Sequence, residues 1–205
     1  MEMFKHLFPA LLLLAGMGLA HTAQASLMSR LGGLAVYDTD RNITWSANAN
    51  LAGTTMNWTA ATAWAANLVY AGFDDWRLPT ALNADGSGPC GAAYNCTGSG
   101  LGHLYYTEGG LTQSQSITSS TVLSNLFINM QNSPYWFGTE AAPSSVDAWY
   151  FSTGDGYQNG ALKDLNNYAW AVRSGDVAAV PDPGVMGLLG IGALAWAGAR
   201  ARRRG

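Results

Sequence analysis

Charge is scarce in this sequence. Asp, Glu, Lys and Arg make up 11% of its 205 residues and hydrophobic residues 48%, a balance that excludes a disordered chain and a coiled coil and leaves enough apolar surface for one core. Basic residues are rarer still away from the ends. Between Ser26 and Val180 only Arg30, Arg41, Arg77, Lys163 and Arg173 stand against eleven acidic residues. So acidic a body repels phosphate backbones, which argues against nucleic acid as a partner. Histidine is nearly missing: His6 and His21 lie in the leader described below, and His103 alone remains. One histidine makes no zinc cluster, and with no Gly-x-Ser-x-Gly elbow it reads as an exposed loop residue, not a triad base. Cysteine is limited to Cys90 and Cys96, too few for a thiolate metal site.

What is plentiful is glycine, with 25 residues, and tryptophan, with 8. Gly-rich loops between aromatic strands suit an antiparallel, loop-heavy α+β domain better than a helical bundle. The long apolar runs are confined to the two ends. Residues 1–25 combine Lys5 and His6, the apolar stretch from Leu7 to Ala20, and a small-x-small site at Ala23 and Ala25. That order describes a secretory signal cleaved before Ser26, with an uncleaved anchor as the alternative. In an oxidising compartment Cys90 and Cys96 are expected to close a small disulfide ring.

Residues 181–205 invert the order. Val180 is followed by Pro181, Asp182 and Pro183, then by an uncharged stretch to Ala199 and by Arg200, Arg202, Arg203 and Arg204. This tripartite tail resembles the PEP-CTERM sorting signal, with Asp182 where that signal usually carries glutamate. Gly184 to Ala199 as a helix reaches about 24 Å, short of a hydrocarbon core of about 30 Å. The expectation is transient membrane insertion, held by arginines on the cytoplasmic side. The resemblance implies an exosortase-type enzyme as partner, acting near Val180 to Pro183, and delivery to the envelope, surface or extracellular matrix. An ordinary uncut anchor is the alternative.

Between the ends, residues 26–180 form the expected domain. A hairpin over Gly33–Asp38 and Ile43–Ser46 turns at Asp38 to Asn42. Trp58, Ala61, Trp64, Ala65, Leu68 and Val69 share a helical face, with Asn57 or Thr59 as N-cap and Gly72 as terminator. Phe73 to Thr80 reads as a short strand or extended segment ending at Pro79, and Asn83 to Gly102 as a long loop stapled by the disulfide. Val122 to Met130 reads as a brief helix capped by Ser119, Ser120 or Thr121. Tyr135–Thr139, Ala148–Thr153 and Tyr168–Arg173 read as a closing three-stranded meander.

Trp45, Trp58-x-x-Ala61, the run from Gly72 through Trp76-Arg77-Leu78-Pro79-Thr80, the Tyr135 to Glu140 run and Ala169-Trp170-Ala171-Val172-Arg173-Ser174-Gly175 together resemble the Lcl C-terminal domain family. The similarity covers roughly Gly33 to Val177. It implies a C-type lectin-like fold, with small antiparallel sheets, one main helix and long loops, in an exported protein.

The candidate sites are few. Asp38, Asp40 and Asn42 alternate as hard oxygen ligands, but Ile43 and Ala49 stand where a calcium loop wants glycine and glutamate. They read as a turn, with calcium as the alternative, and no other cofactor is expected. Trp58, Trp64, Trp76, Trp149 and Trp170 are expected in the core. Tyr94, Asn95, Tyr105, Tyr106 and Tyr157 lie in or beside loops and are the candidate platform for a polysaccharide or surface glycan. Arg77 and Arg173 are expected to pair with carboxylates such as Asp75, Asp38 or Glu140. The cysteine pair also brings formylglycine-generating enzymes to mind, which share the lectin-like fold. The favoured expectation is a non-enzymatic, exported binding module, with a purely structural matrix protein next and an enzyme third.

Overall fold

The computed structural model describes residues 26–177. The expected leader and the expected sorting tail, with Ala23, Ala25 and Val180 to Pro183, lie outside the described residues. No helix among the described residues is long and apolar enough to cross a membrane.

Two small antiparallel sheets and a few short helices make an α+β fold, as the sequence predicts. The first sheet contains β1 (Leu27–Arg30), β2 (Ala35–Asp38), β3 (Ile43–Ser46) and β7 (Val172–Ser174), in the order β1-β2-β3-β7. β2 and β3 form the expected hairpin, with Ala35 opposite Ser46 and Asp38 opposite Ile43. Asn42, at φ 49°, makes the left-handed step that closes the turn. β1 pairs with β2, Leu27 facing Asp38, an element the sequence reading does not contain.

The second sheet has β4 (Pro134–Glu140), β5 (Asp147–Ser152) and β6 (Gln158–Leu162). Here the predicted meander needs correction. Its third strand is the polar Gln158–Leu162, with Gly160 opposite Trp149, and the aromatic Tyr168–Arg173 run leaves the sheet. Tyr168 N donates to Pro134 O at 3.0 Å and Tyr168 O accepts from Trp136 N at 2.9 Å, at the start of β4, and Val172 then crosses to pair with Trp45 in the first sheet. The run is divided because Trp170 is needed between the sheets. Its ring lies edge-on to Trp45 at 5.2 Å and to Phe127 at 5.1 Å, and its Nε1 donates to Ser46 O at 2.9 Å. Burial of a side chain of that size contributes roughly 3 kcal/mol.

Helix α1 (Trp58–Ala66) starts where Asn57 Oδ1 accepts from Ala60 N at 2.9 Å. It ends earlier than the spacing predicts. Asn67 caps it by donating to Ala63 O at 2.8 Å, Val69 is exposed, and Gly72 instead serves a turn bridging Tyr70 and Phe73. The helix buries Ala61 and Ala65 against Leu78, Trp136 and Ala148. Trp58 and Trp64 are only half-buried, as is Trp149, whereas Trp76 and Trp170 are buried as expected and Trp45 and Trp136 join them. Small alanines let α1 sit close to β4, and Trp58 closes the flank by donating Nε1 to Phe137 O at 2.7 Å. The expected helix at Val122 to Met130 is one turn, α3 (Thr121–Ser124), capped by Ser120. Phe73 to Thr80 is extended, and Arg77 is bridged to Val172.

Candidate functional site

Two surfaces are built from one stretch of chain, residues 79–110. Its first half is polar and glycine-rich and is ordered by cross-links. Ser87 closes a turn onto Asp85, donating from N at 2.9 Å and from Oγ at 2.6 Å. Cys90 and Cys96 form the expected disulfide, with Cα atoms 5.8 Å apart. Within that ring Ala93 and Gln158 exchange two backbone hydrogen bonds of 3.0 Å, so the ring extends the second sheet beyond β6.

That pairing sets Tyr94 on Tyr157, ring centroids 4.8 Å apart, with Tyr94 38% exposed. Asn95, exposed and left-handed at φ 60°, adjoins them. Desolvation first, then the neighbouring Asp155 and Tyr157, push the Tyr94 phenol up. Tyr106 fixes the backbone next to Tyr157: it is half-buried and donates to Gly156 O at 2.8 Å. A side chain at Gly156, at φ +87°, would run into both Tyr105 and Tyr106, so glycine is required there.

Tyr105 is a correction to the expected exposed set. It is fully buried against Tyr106 and Phe151, and its hydroxyl serves Thr112 O and Gln115 O. Burial pushes its phenol up to about 12. The cause is local: residues 100–108 are helical, whereas the sequence reading carries the loop through to Gly102. Ser99 caps helix α2 (Gly100–Gly102), which runs on into a π-helical turn over His103–Glu108. Leu101, Leu104 and Tyr105 face inward from it.

The same turn assembles a polar cluster. A π-helical turn brings residues five apart together, and His103 Nε2 lies 3.0 Å from Glu108 Oε1. On the other side of the imidazole, at 3.8 Å, is Asp38 Oδ2. The side chains of Asp38, Glu108 and His103 are 0%, 7% and 12% exposed. Asp38 Oδ1 accepts from Arg41 N at 2.9 Å, and Ser26 Oγ donates to Glu108 Oε2. Asp38 Oδ2 meets no donor among the described residues. Burial raises the Asp38 pKa above the usual carboxylate range; the Arg41 amide and His103 oppose that rise, and Glu108 adds to it.

His103 is therefore not the exposed loop residue its sequence context suggests. Its link to Glu108 is invisible without the π-helical turn, because in an ordinary α-helix positions five apart do not face each other. The three alternating oxygen ligands of the turn are also separated. Asp38 points inward, Asn42 Oδ1 accepts from Tyr37 Oη at 2.9 Å, and Asp40 is exposed beside the Thr39 hydroxyl.

The arginines divide. Arg173 grips Asp75 with two bonds of 2.7 and 2.9 Å and lies over the Phe73 ring at 4.2 Å, as expected. Arg77 meets no carboxylate among the described residues; its guanidinium reaches Leu78 O at 3.2 Å. Glu140 pairs with Lys163 instead. Arg41 donates to Gly98 O and Leu82 O. Arg41 and Arg77 share a cleft of about 150 Å³ with Thr80 and Asn83, and burial lowers the pKa of both.

No curated protein matches the sequence. A family model does: residues 34–173 match the one described as the Lcl C-terminal domain.

Proposed function

The chain belongs to the Lcl C-terminal domain family, and from that premise we propose that it is an exported, non-enzymatic contact module that binds a polysaccharide or another glycan-bearing surface component. Membership supports a surface or secreted protein. The leader at residues 1–25 and the tail at residues 181–205 then supply the route: cleavage before Ser26, transient membrane insertion, and sorting by an exosortase-type enzyme at Val180 to Pro183.

The observation that carries the binding role is the Tyr94–Tyr157 pair, held rigid by a disulfide and a sheet extension, with Asn95 beside it. A pyranose offers an apolar face and a rim of hydroxyls, which suits an aromatic platform edged by amides. Rigidity matters because little ordering entropy is then lost on binding. The cleft shared by Arg41 and Arg77, neither of which pairs with a carboxylate among the described residues, is a local basic spot on an acidic body and favours acidic over neutral chains. Both thiols are tied in one disulfide, which supports a structural role for them over the chemistry of a formylglycine-generating enzyme.

Polysaccharide co-sedimentation with acidic and neutral panels tests this. Saturable retention on an acidic chain, lost in Tyr94→Ala and Tyr157→Ala, is the expected result. Absence of retention across both panels would leave the structural-matrix role in its place.

A further inference from the structure

We propose that Asp38, His103 and Glu108, the last held by a hydrogen bond from the Ser26 hydroxyl, bind one divalent cation of the zinc class. The argument begins with Asp38. A fully buried carboxylate oxygen is ordinarily hydrogen-bonded, paired or bound to a metal, yet Oδ2 has no donor among the described residues and faces the imidazole at 3.8 Å.

Charge points the same way. Two carboxylates, Asp38 and Glu108, meet at one imidazole, and neither pairs with an arginine or lysine among the described residues. Arg41, nearby in sequence, spends its guanidinium on the Gly98 and Leu82 carbonyls. A divalent ion balances both acids and leaves the imidazole neutral, the state in which it is a ligand.

Geometry fits as well. One donor atom from each of the three residues lies within 4.8 Å of the others, and the separations of 3.0 and 3.8 Å bracket the roughly 3.4 Å between ligands of a tetrahedral zinc ion. The donors come from two places in the chain, the end of β2 and the π-helical turn, and Ser26, just before β1, bonds to Glu108 from a third. Such turns recur at functional sites because they bring together side chains that an α-helix keeps apart.

The donor set also selects the ion. One nitrogen among oxygens, in a site enclosed by protein, suits zinc. Calcium wants six to eight oxygens and more room, so this site differs in chemistry from the calcium alternative at Asp38, Asp40 and Asn42, with which it shares only Asp38. With three protein donors in an enclosed site, and the Ser26 hydroxyl hydrogen-bonded to Glu108, the role is structural: the ion clasps β2 to the helix that carries the core residues Leu101, Leu104 and Tyr105.

The full chain, recovered as an exporting host processes it, is stripped with chelator and titrated with Zn²⁺ and, separately, Ca²⁺ by calorimetry. One Zn²⁺ per chain is expected, with a raised thermal midpoint and no matching response to Ca²⁺. His103→Gln and Glu108→Gln each remove a ligand and should weaken Zn²⁺ binding by more than the roughly 10–100-fold that loss of an outer-shell partner costs. Circular dichroism of the chelated variants separates lost ligation from lost folding. Cobalt gives a second readout that requires no variant: loading with Co²⁺ should produce visible ligand-field bands of tetrahedral intensity. The proposal is overturned if the stripped wild-type chain takes up no stoichiometric Zn²⁺, if a folded His103→Gln protein keeps wild-type affinity, or if Ca²⁺ binds in preference.

Discussion

Residues 83–99 and residues 100–108 are neighbours in sequence and opposites in construction. The first segment has almost no core and is ordered from outside, by the disulfide, the Ser87–Asp85 turn and two bonds to Gln158. The second is ordered from inside, by Leu101, Leu104 and Tyr105. A chain poor in apolar residues can hold aromatic rings in place at a surface if its backbone is tied down. A chain that buries its rings can carry polar side chains inward with them, as His103 and Glu108 are carried.

The sharpest way to break the inner half is Tyr105→Ala. Truncating a fully buried ring that contacts Tyr106 and Phe151 should cost about 4 kcal/mol in urea unfolding. Gly102→Ala attacks the junction between the halves. A Cβ there would collide with the Cys96 carbonyl and press on Ser99 Oγ, so a loss of about 3 kcal/mol is expected, with ring and helix destabilised together.

Breaking the outer half should do less. Replacing Cys90 and Cys96 by Ser opens a short loop worth about 2 kcal/mol. Limited proteolysis should then cut residues 83–99 first, leaving residues 100–108 protected. If both were cut at once, the two segments would not be independently ordered.

Asp75–Arg173 provides a reference for surface pairing outside both segments. The Arg173 hydrogen bonds hold the Asp75 pKa below the usual range. A depressed acid stabilises the fold above its unfolded-state pKa, and that contribution is lost as pH falls through the folded-state value. With Asp75 half exposed, solvent screening limits the gain to under about 1 kcal/mol. The stability gap between wild type and Asp75→Asn should therefore be present at neutral pH and close in acid. Tyr94→Ala should change stability least, by under about 0.5 kcal/mol, while abolishing polysaccharide retention in the co-sedimentation assay.

How far the sequence discloses this architecture depends on the reach of each interaction. The β2–β3 hairpin, the Asn57 cap and the Cys90–Cys96 ring are decided within about ten residues, and all three are legible. β6 is not, because Gln158 to Leu162 has the composition of a turn and becomes a strand only through β5 on one side and Ala93 on the other. β7 is half legible: its aromatic pattern announces a strand, but the choice of Trp45 as partner follows from packing of Trp170 between the sheets. The platform residues Tyr94 and Tyr157 were within reach because they lie among turn residues. Tyr105 and His103 were not, since a switch from α-helical to π-helical hydrogen bonding, marked by Gly109 N on Leu104 O at 2.9 Å, leaves no composition signal.

The first sheet has a mechanical consequence. β7, its last strand, is three residues long and is zipped to β3 on one side while Val172 also bonds to Arg77 on the other. Just beyond it, Asp176 is locked to Arg30 by two bonds of 2.8 and 2.9 Å. Any pull on the chain past Val177 is thus passed first to the opposite border of the same sheet, like a rope tied across a frame before it reaches the load.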